Sequence, residues 1–209
     1  MAHRVFAGAQ FTVSAPRLAD CPAEGPPEIA FAGHSNAGKS SVLNRLTGRR
    51  QLARTSKTPG RTQALNFFET DAARLVDLPG YGYAKVPREM LARWGRHIDD
   101  YLSRRRTLVG IVLVSDVRHA PKPFDRAMLD WAEAAEMPLH LLLNKADKLR
   151  RGPASARLYA VSSEVNTYSS ASVQLFSAAD GTGLEVLEEV LAGWIETDAF
   201  GRKRRGPTG

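Results

Sequence analysis

The chain has 209 residues, is 43% hydrophobic and 24% charged, and carries a formal net charge of +7 with a single cysteine, Cys21. That length and balance suit one globular domain with a sizeable core. A lone cysteine excludes an internal disulfide and a cysteine-built metal site. No apolar run approaches ~18 residues, and the start lacks the basic opening and long apolar core of a secretory signal, so a cytoplasmic protein with no membrane span is expected. The basic sign favours a polyanionic partner.

In residues 1–27, Val5, Phe6, Phe11 and Val13 lie around Gly8, and Pro16, Pro22, Pro26 and Pro27 then break any regular element. This stretch reads as an extension that lays one short segment on the domain. Glu28–Ala32 reads as a short buried strand and Ser41–Thr47 as the opening of a helix. Between them, Gly33, His34, Ser35, Asn36, Ala37, Gly38, Lys39, Ser40 and Ser41 fit the pattern of glycine, four residues, Gly-Lys-Ser. Strand, glycine loop and helix are what phosphate binding needs. The glycines let backbone N–H groups turn inward around an anion, and the helix N-terminus adds partial positive charge. Lys39 would reach the β- and γ-phosphates, and the Ser40 hydroxyl would ligate magnesium.

From Gly48 to Gln63 the chain is polar and aperiodic, with a turn at Pro59-Gly60. A long polar loop inside a compact domain points to function; Thr58 and Thr62 are both candidates for a metal-ligating hydroxyl. Ala64–Thr70 and Arg74–Leu78 read as the two strands of an antiparallel hairpin. The second runs into Asp77, Leu78, Pro79 and Gly80. Asp77 would hold magnesium through water, and the Gly80 N–H would face the γ-phosphate, since glycine lets the backbone approach closely. After the glycine-bearing loop Tyr81–Pro87, Arg88–Arg104 reads as an amphipathic helix and Leu108–Ser115 as a central parallel strand buried on both faces. Asp116–Pro123 is a loop in which His119, at the strand's carboxyl end, has two readings, a catalytic group or, preferred, a loop-stabilising hydrogen bond. Phe124–Glu136 is helical, with Phe124, Met128, Leu129, Trp131 and Ala132 inward.

Leu139–Leu143 is a further strand, and it delivers Asn144, Lys145, Ala146 and Asp147. A carboxylate at Asp147 can accept from both N1–H and the exocyclic amine of guanine. Adenine presents an unprotonated N1 there, and a site built for such bonds discriminates strongly when they cannot form. Asn144 would tie the base edge to the phosphate loop, and the Lys145 stem would lie over the ring. One weakly patterned helix is expected within Arg151–Asn166 and a last strand at Val173–Phe176. The turn Phe176, Ser177, Ala178 would set a backbone N–H against the guanine carbonyl. Leu184–Ile195 closes the domain as an amphipathic helix. The tail 199–209 carries the basic run Arg202–Arg205, suited to RNA contact.

Taken together, Gly-His-Ser-Asn-Ala-Gly-Lys-Ser-Ser, Thr-Ser-Lys-Thr-Pro-Gly-Arg-Thr-Gln, Asn-Phe-Phe and Asp-Leu-Pro-Gly-Tyr-Gly-Tyr-Ala resemble the EngB (YihA/YsxC) family of bacterial GTPases from about Phe31 to about Trp194. The resemblance implies a three-layer, Ras-like P-loop α/β domain over residues 28–198, with a mostly parallel sheet, one antiparallel strand and helices on both faces. It implies GTP and GDP as ligands, magnesium as the metal, and the large ribosomal subunit or its precursor, rRNA and ribosomal proteins, as the partner of a monomer. By position, Ser40, Thr62 and Asp77 would hold magnesium, while Gly60, Arg61, Thr62, Gln63 and Ala64 would form the first switch loop. Lys39, Thr62 and Gly80 would carry catalysis. His34 stands where the family usually has arginine, and Ala64 where a larger apolar residue is common. Tyr81 occupies the place where many relatives have a water-orienting glutamine, so slow intrinsic hydrolysis is expected. Asn36 matches a position that in related GTPases helps hold potassium. A GTPase switch with a protein partner, and a nucleotide-binding scaffold with negligible turnover, are the two other readings.

Overall fold

The computed structural model describes residues 5–53, 64–81 and 98–204, with side chains as far as Thr197. The strands are β1 (Gln10–Ala15), β2 (Glu28–Gly33), β3 (Leu65–Glu69), β4 (Arg74–Asp77), β5 (Leu108–Asp116), β6 (Leu139–Asn144) and β7 (Ala171–Leu175). They form one sheet in the order β1-β3-β4-β2-β5-β6-β7. Only β3 runs against its neighbours, pairing antiparallel with β1 and β4, while β4, β2, β5, β6 and β7 are parallel. The helices among the described residues are α1 (Lys39–Thr47), α2, described over 98–104, α3 (Pro123–Ala134), α4 (Arg151–Val165) and α5 (Leu184–Arg204). None of them is long and apolar enough to cross a membrane.

The apolar run of β5 explains its central place. Its alternate side chains serve two cores, as the two-residue period of a strand requires. Val112 and Val114 join Ile29 and Phe31 of β2 beneath Val42, Leu43 and Leu46 of α1 and Leu187 and Leu191 of α5. Ile111 and Leu113 face the other way, toward Tyr101 of α2, Met128 and Leu129 of α3, and Val161 and Val165 of α4. Helices on both faces of a mostly parallel sheet make the three layers the resemblance implies.

Three details differ from the sequence reading. The segment expected only to lie on the domain forms β1, paired from Gln10↔Glu69 to Ala15↔Leu65 with an irregularity between Phe11 and Val13. Phe11, Val13 and Ala15 alternate with Thr12 and Ser14, as a strand requires, although only Ala15 is buried. Phe124, expected in the core, is 39% exposed and stacks on Tyr81 instead, with ring centroids 3.8 Å apart. Finally, α5 continues to Arg204, beyond the expected end at Ile195, since no proline interrupts the chain there and a single glycine does not stop a helix.

The two ends of the sheet differ in chemistry. At the amino ends of the parallel strands, the carboxylate of Glu28 is fully buried and accepts from Arg105 Nη2 at 2.6 Å, Arg105 Nε at 2.9 Å and the Tyr101 hydroxyl at 3.0 Å. At the carboxyl ends, Gly33, Asp77, Asp116 and Asn144 terminate β2, β4, β5 and β6, and Phe176 follows β7. In open α/β sheets this is the edge that receives ligands.

Candidate functional site

The phosphate-loop motif sits where β2 hands over to α1. Gly33 is required by the sheet itself, because a Cβ there would come within 2.6 Å of the Val114 carbonyl oxygen on β5. The chain then turns back through Asn36 (φ +67°) and Gly38 (φ +95°), and Ala37 N–H donates to His34 O at 3.0 Å. Gly38 is the left-handed residue from which α1 springs, with Lys39 as its first residue. The N–H groups of that first turn have no partner within the helix, so they are the donors an anion can use. Ser40 and Ser41 sit in the same turn, Ser40 half-buried and Ser41 exposed.

Asp77 reaches this loop through the register of β2 and β4, which sets it beside Phe31. Its carboxylate pairs directly with the Lys39 ammonium, both side chains being largely buried. The chain continues through Leu78, whose N–H donates to Phe31 O at 3.0 Å, and Pro79 to Gly80, where an added Cβ would lie 3.6 Å from Ser35. Ser35 N–H donates to Tyr81 O at 2.7 Å and Tyr81 N–H to Gly33 O at 3.4 Å, so the two loops are zipped together. The Tyr81 side chain reaches toward α3. Its hydroxyl donates to Asp125 of α3 and its ring packs between Phe124 and the edge of His34. Burial and the neighbouring carboxylate push the phenol far above its ordinary range, so it remains a neutral donor.

The base motif closes over the same loop. Asn144 is buried at the end of β6; its Nδ2 donates to Ala37 O at 2.8 Å and its Oδ1 accepts from Ala178 N–H at 3.2 Å. One side chain thus joins the phosphate loop to the turn after β7. In the turn expected to set a backbone N–H against a guanine carbonyl, the Ala178 N–H is directed at Asn144. Phe176 N–H donates to Leu143 O and Ala146 N–H to Phe176 O, each at 3.0 Å. Lys145, at φ +67°, donates to Asn36 O at 2.6 Å and pairs with Asp116 at 2.9 Å. The Ser177 hydroxyl donates to Asp147 at 2.8 Å and Lys148 lies 3.0 Å from its other oxygen; together, in that order of effect, they hold this carboxyl below its usual range. Asp147 is therefore an ionised acceptor at neutral pH.

The structure brings together Gly33 to Ser41, Asp77 to Gly80, Asn144 to Asp147 and Phe176 to Ala178. Thr58, Gly60, Arg61, Thr62 and Gln63 lie outside the described residues. Ala64 is described, half-buried, at the entry to β3. Three participants escaped the sequence reading. Arg45 of α1 donates to the carbonyls of Ala178, at 2.8 Å, and Ala179, bracing the base turn. Asp116 gathers Lys145 and Arg118, and Asp125 receives Tyr81. Asp116 was the most accessible of the three, since it ends the strand beside the one carrying Asn144. A hydroxyl and a carboxylate, Ser40 and Asp77, are hard oxygen donors of the kind magnesium takes. Among the described residues no group of three His, Cys, Asp or Glu side chains could hold a metal by itself. Such a donor pair fits an ion completed by phosphate and water.

Comparison with known proteins agrees with this geometry. A family model described as the 50S ribosome-binding GTPase matches residues 28–145. The crystal structure of a probable GTP-binding protein engB is 25% identical, with a TM-score of 0.67 over 81% of this chain and 99% of that one. The G domain of the T. maritima FeoB iron transporter is also 25% identical, with a TM-score of 0.52 over 81% of this chain and 99% of that one. A bacterial selenocysteine-specific elongation factor, EF-Sec, shares the fold at 20% identity and a TM-score of 0.59; the match covers 83% of this chain but 29% of the factor. The family match opens on the first residue of β2 and ends on Lys145, more than half of the 209 residues, and takes in the phosphate loop, the Asp77 turn and the start of the base motif. The chain therefore belongs to the family of 50S ribosome-binding GTPases, and the nucleotide its site is built for is GTP.

Proposed function

We propose that this chain is an EngB-type GTPase that hydrolyses GTP slowly on its own and acts in late assembly of the large ribosomal subunit. The observation that carries the reading is the Asn144 amide, which locks the phosphate loop to the base turn so that one ligand must satisfy both. Lys39 and the α1 N-terminus would neutralise phosphate charge, Gly80 would meet the γ-phosphate, and Ser40, Asp77 and Thr62 would hold magnesium, which supplies further neutralisation when bound. Asp147 would read guanine.

Slow turnover follows from Tyr81. Its hydroxyl is committed to Asp125 and its ring to Phe124, so the residue after Gly80 offers no amide to orient water. Asn36, exposed at the turn of the loop, would help hold potassium, whose charge compensates in part. The formal net charge of +7 supports a partner rich in RNA phosphate. The test is single-turnover GTP hydrolysis with and without large ribosomal subunits, alongside co-sedimentation with those subunits in a GTP analogue and in GDP. Tighter binding in the GTP analogue, with stimulated hydrolysis, is expected, because a nucleotide shifts an equilibrium only through differential affinity. Equal binding in both states rejects the switch. No binding rejects the ribosomal partner, and no turnover under either condition makes the chain a scaffold.

A further inference from the structure

Beside the phosphate loop lies a cavity of about 230 Å³, bounded by that loop, the end of β5 and the loop leading to α3. Lys39, Ser40, Asp77, Gly80 and Asp147 do not line it, but His34 to Ala37 of the phosphate loop and Lys145 of the base motif do, so it shares a wall with the nucleotide site. Its charged walls are Arg118, Lys122 and Lys145 against the single carboxylate of Asp116, with His34 and His119 beside them.

Two of the cations are held in place. Asp116 accepts from Arg118 Nε at 2.9 Å, from its Nη2 at 2.6 Å and from its backbone N–H at 3.1 Å. This uses one edge of the guanidinium and leaves the remaining N–H groups free to bond elsewhere. The same carboxylate fixes Lys145 at 2.9 Å. One negative charge thus aims two positive ones, and Arg118 is still 46% exposed. Lys122 pairs with no carboxylate among the described residues. A half-open cavity with fixed guanidinium and ammonium donors suits a tetrahedral oxyanion.

We propose that this cavity binds a backbone phosphate of RNA, making it the point where the proposed ribosomal partner meets the nucleotide-binding edge; the assignment rests on that reading of function. It also has a physical route to the nucleotide. Lys122 N–H donates to Asp125 at 2.8 Å, and the other oxygen of Asp125 receives Tyr81, the neighbour of Gly80. Movement of Gly80 would therefore be felt at the cavity rim.

The experiment uses the full chain saturated with GDP, a fluorescent 30-nucleotide single-stranded RNA of mixed sequence read by anisotropy across a salt series, and large ribosomal subunits read by co-sedimentation. Arg118→Ala with Lys122→Ala should weaken both interactions and lower the slope of log affinity against log salt for the RNA by about 0.7, the value for one phosphate no longer neutralised. Arg151→Ala with Arg157→Ala, an equal loss of charge on α4, should leave the slope unchanged, and both doubles should melt as the parent does. An unchanged slope in the cavity double, or an equal fall in the α4 double, would overturn the assignment. So would a matching loss of GDP affinity, which would make the cavity part of the nucleotide site. Two further results would replace RNA: tight binding of a polyglutamate peptide lost in the cavity double would assign an acidic protein, and saturation by inorganic phosphate below about 1 mM would assign a small anion. If the parent chain binds the RNA but not the subunits, the ribosomal reading fails while the cavity assignment stands or falls on the slope.

Discussion

The contact between Gly38 and Asn144 offers a test of how the two halves of the site are joined. Gly38 sits at φ +95°, and a Cβ placed there would lie 2.4 Å from Asn144 Nδ2. No real side chain tolerates that distance, so Gly38→Ala must displace the amide that bonds to Ala37 O at 2.8 Å. The backbone conformation costs about 1–2 kcal/mol for alanine, and the broken buried hydrogen bond about 1–3 kcal/mol more. A total loss of about 3 kcal/mol corresponds to a fall in Tm of roughly 6–12 °C for a chain of this size. Asn144→Ala removes the same bond and also the one from Ala178 N–H, for about 2–4 kcal/mol. It also removes the obstacle to the new methyl group. The double variant should therefore lose about 1–2 kcal/mol less than the two single losses together, which is the coupling expected of residues in contact. Urea unfolding of the four proteins without nucleotide measures the cycle. Additivity within about 0.5 kcal/mol would refute the idea that the amide is what a Cβ at position 38 meets.

Asp147→Asn should weaken GTP by about 10–100-fold, the value of a charge-assisted bond, and should favour xanthine nucleotides, since the amide donor then meets a carbonyl at C2 of the base; competition binding checks this, and equal ATP and GTP affinity in the parent chain would sink it. Ser40→Ala and Thr62→Ala should each impair magnesium-dependent binding of a GTP analogue by about tenfold or more, with a smaller effect on GDP. A larger effect of Thr58→Ala would move the switch hydroxyl to that residue. Replacing potassium by sodium should slow hydrolysis by at least ~10-fold if the ion supplies charge at the transferring phosphate, and Asn36→Ala should abolish the difference; identical rates in both salts would leave Asn36 a turn residue.

The phosphate loop and the base motif were legible because each needs fixed residue types in a fixed order, and the strands beneath them are short apolar runs that leave little freedom. The buried pattern of β2, β5 and β6 and the turn residues of the β3–β4 hairpin speak for themselves. What stayed hidden depends on register and on separations the chain does not display. Asp116 becomes part of the site because β5 and β6 align it with Asn144. Tyr81 meets Asp125 across 44 residues, and Arg45 meets Ala178 across 133. Phe124 looked like a core residue by helical spacing, yet the core of α3 is completed by Met128, Leu129 and Ala132, which leaves Phe124 to cover Tyr81. In β1 the alternation of Phe11, Val13 and Ala15 with Thr12 and Ser14 was a strand signal that reading this stretch as an extension passed over.

The Lys39–Asp77 pair would link magnesium to phosphate through a single exchange. Each is the other's partner across the loop, and both side chains are nearly buried, at 10% and 13% exposure. A phosphate ligand that recruits Lys39 must take it from Asp77, and the carboxylate so released is the one assigned to magnesium. Nucleotide bound without a metal would therefore leave Asp77 without a cation, a charge that magnesium would neutralise. Asp77→Asn breaks the linkage in a diagnostic way, because an amide competes poorly for an ammonium while keeping the shape. In EDTA, the variant should bind GDP about 10–100-fold more tightly than the parent, the range for a charge-assisted bond no longer given up. With magnesium, it should bind a GTP analogue more weakly, because a metal partner is gone. The two curves, taken by titration with a fluorescent nucleotide across magnesium concentrations, should cross. A variant that binds GDP no better than the parent in EDTA would show that Asp77 does not compete with phosphate for Lys39, and the exchange would have to be abandoned.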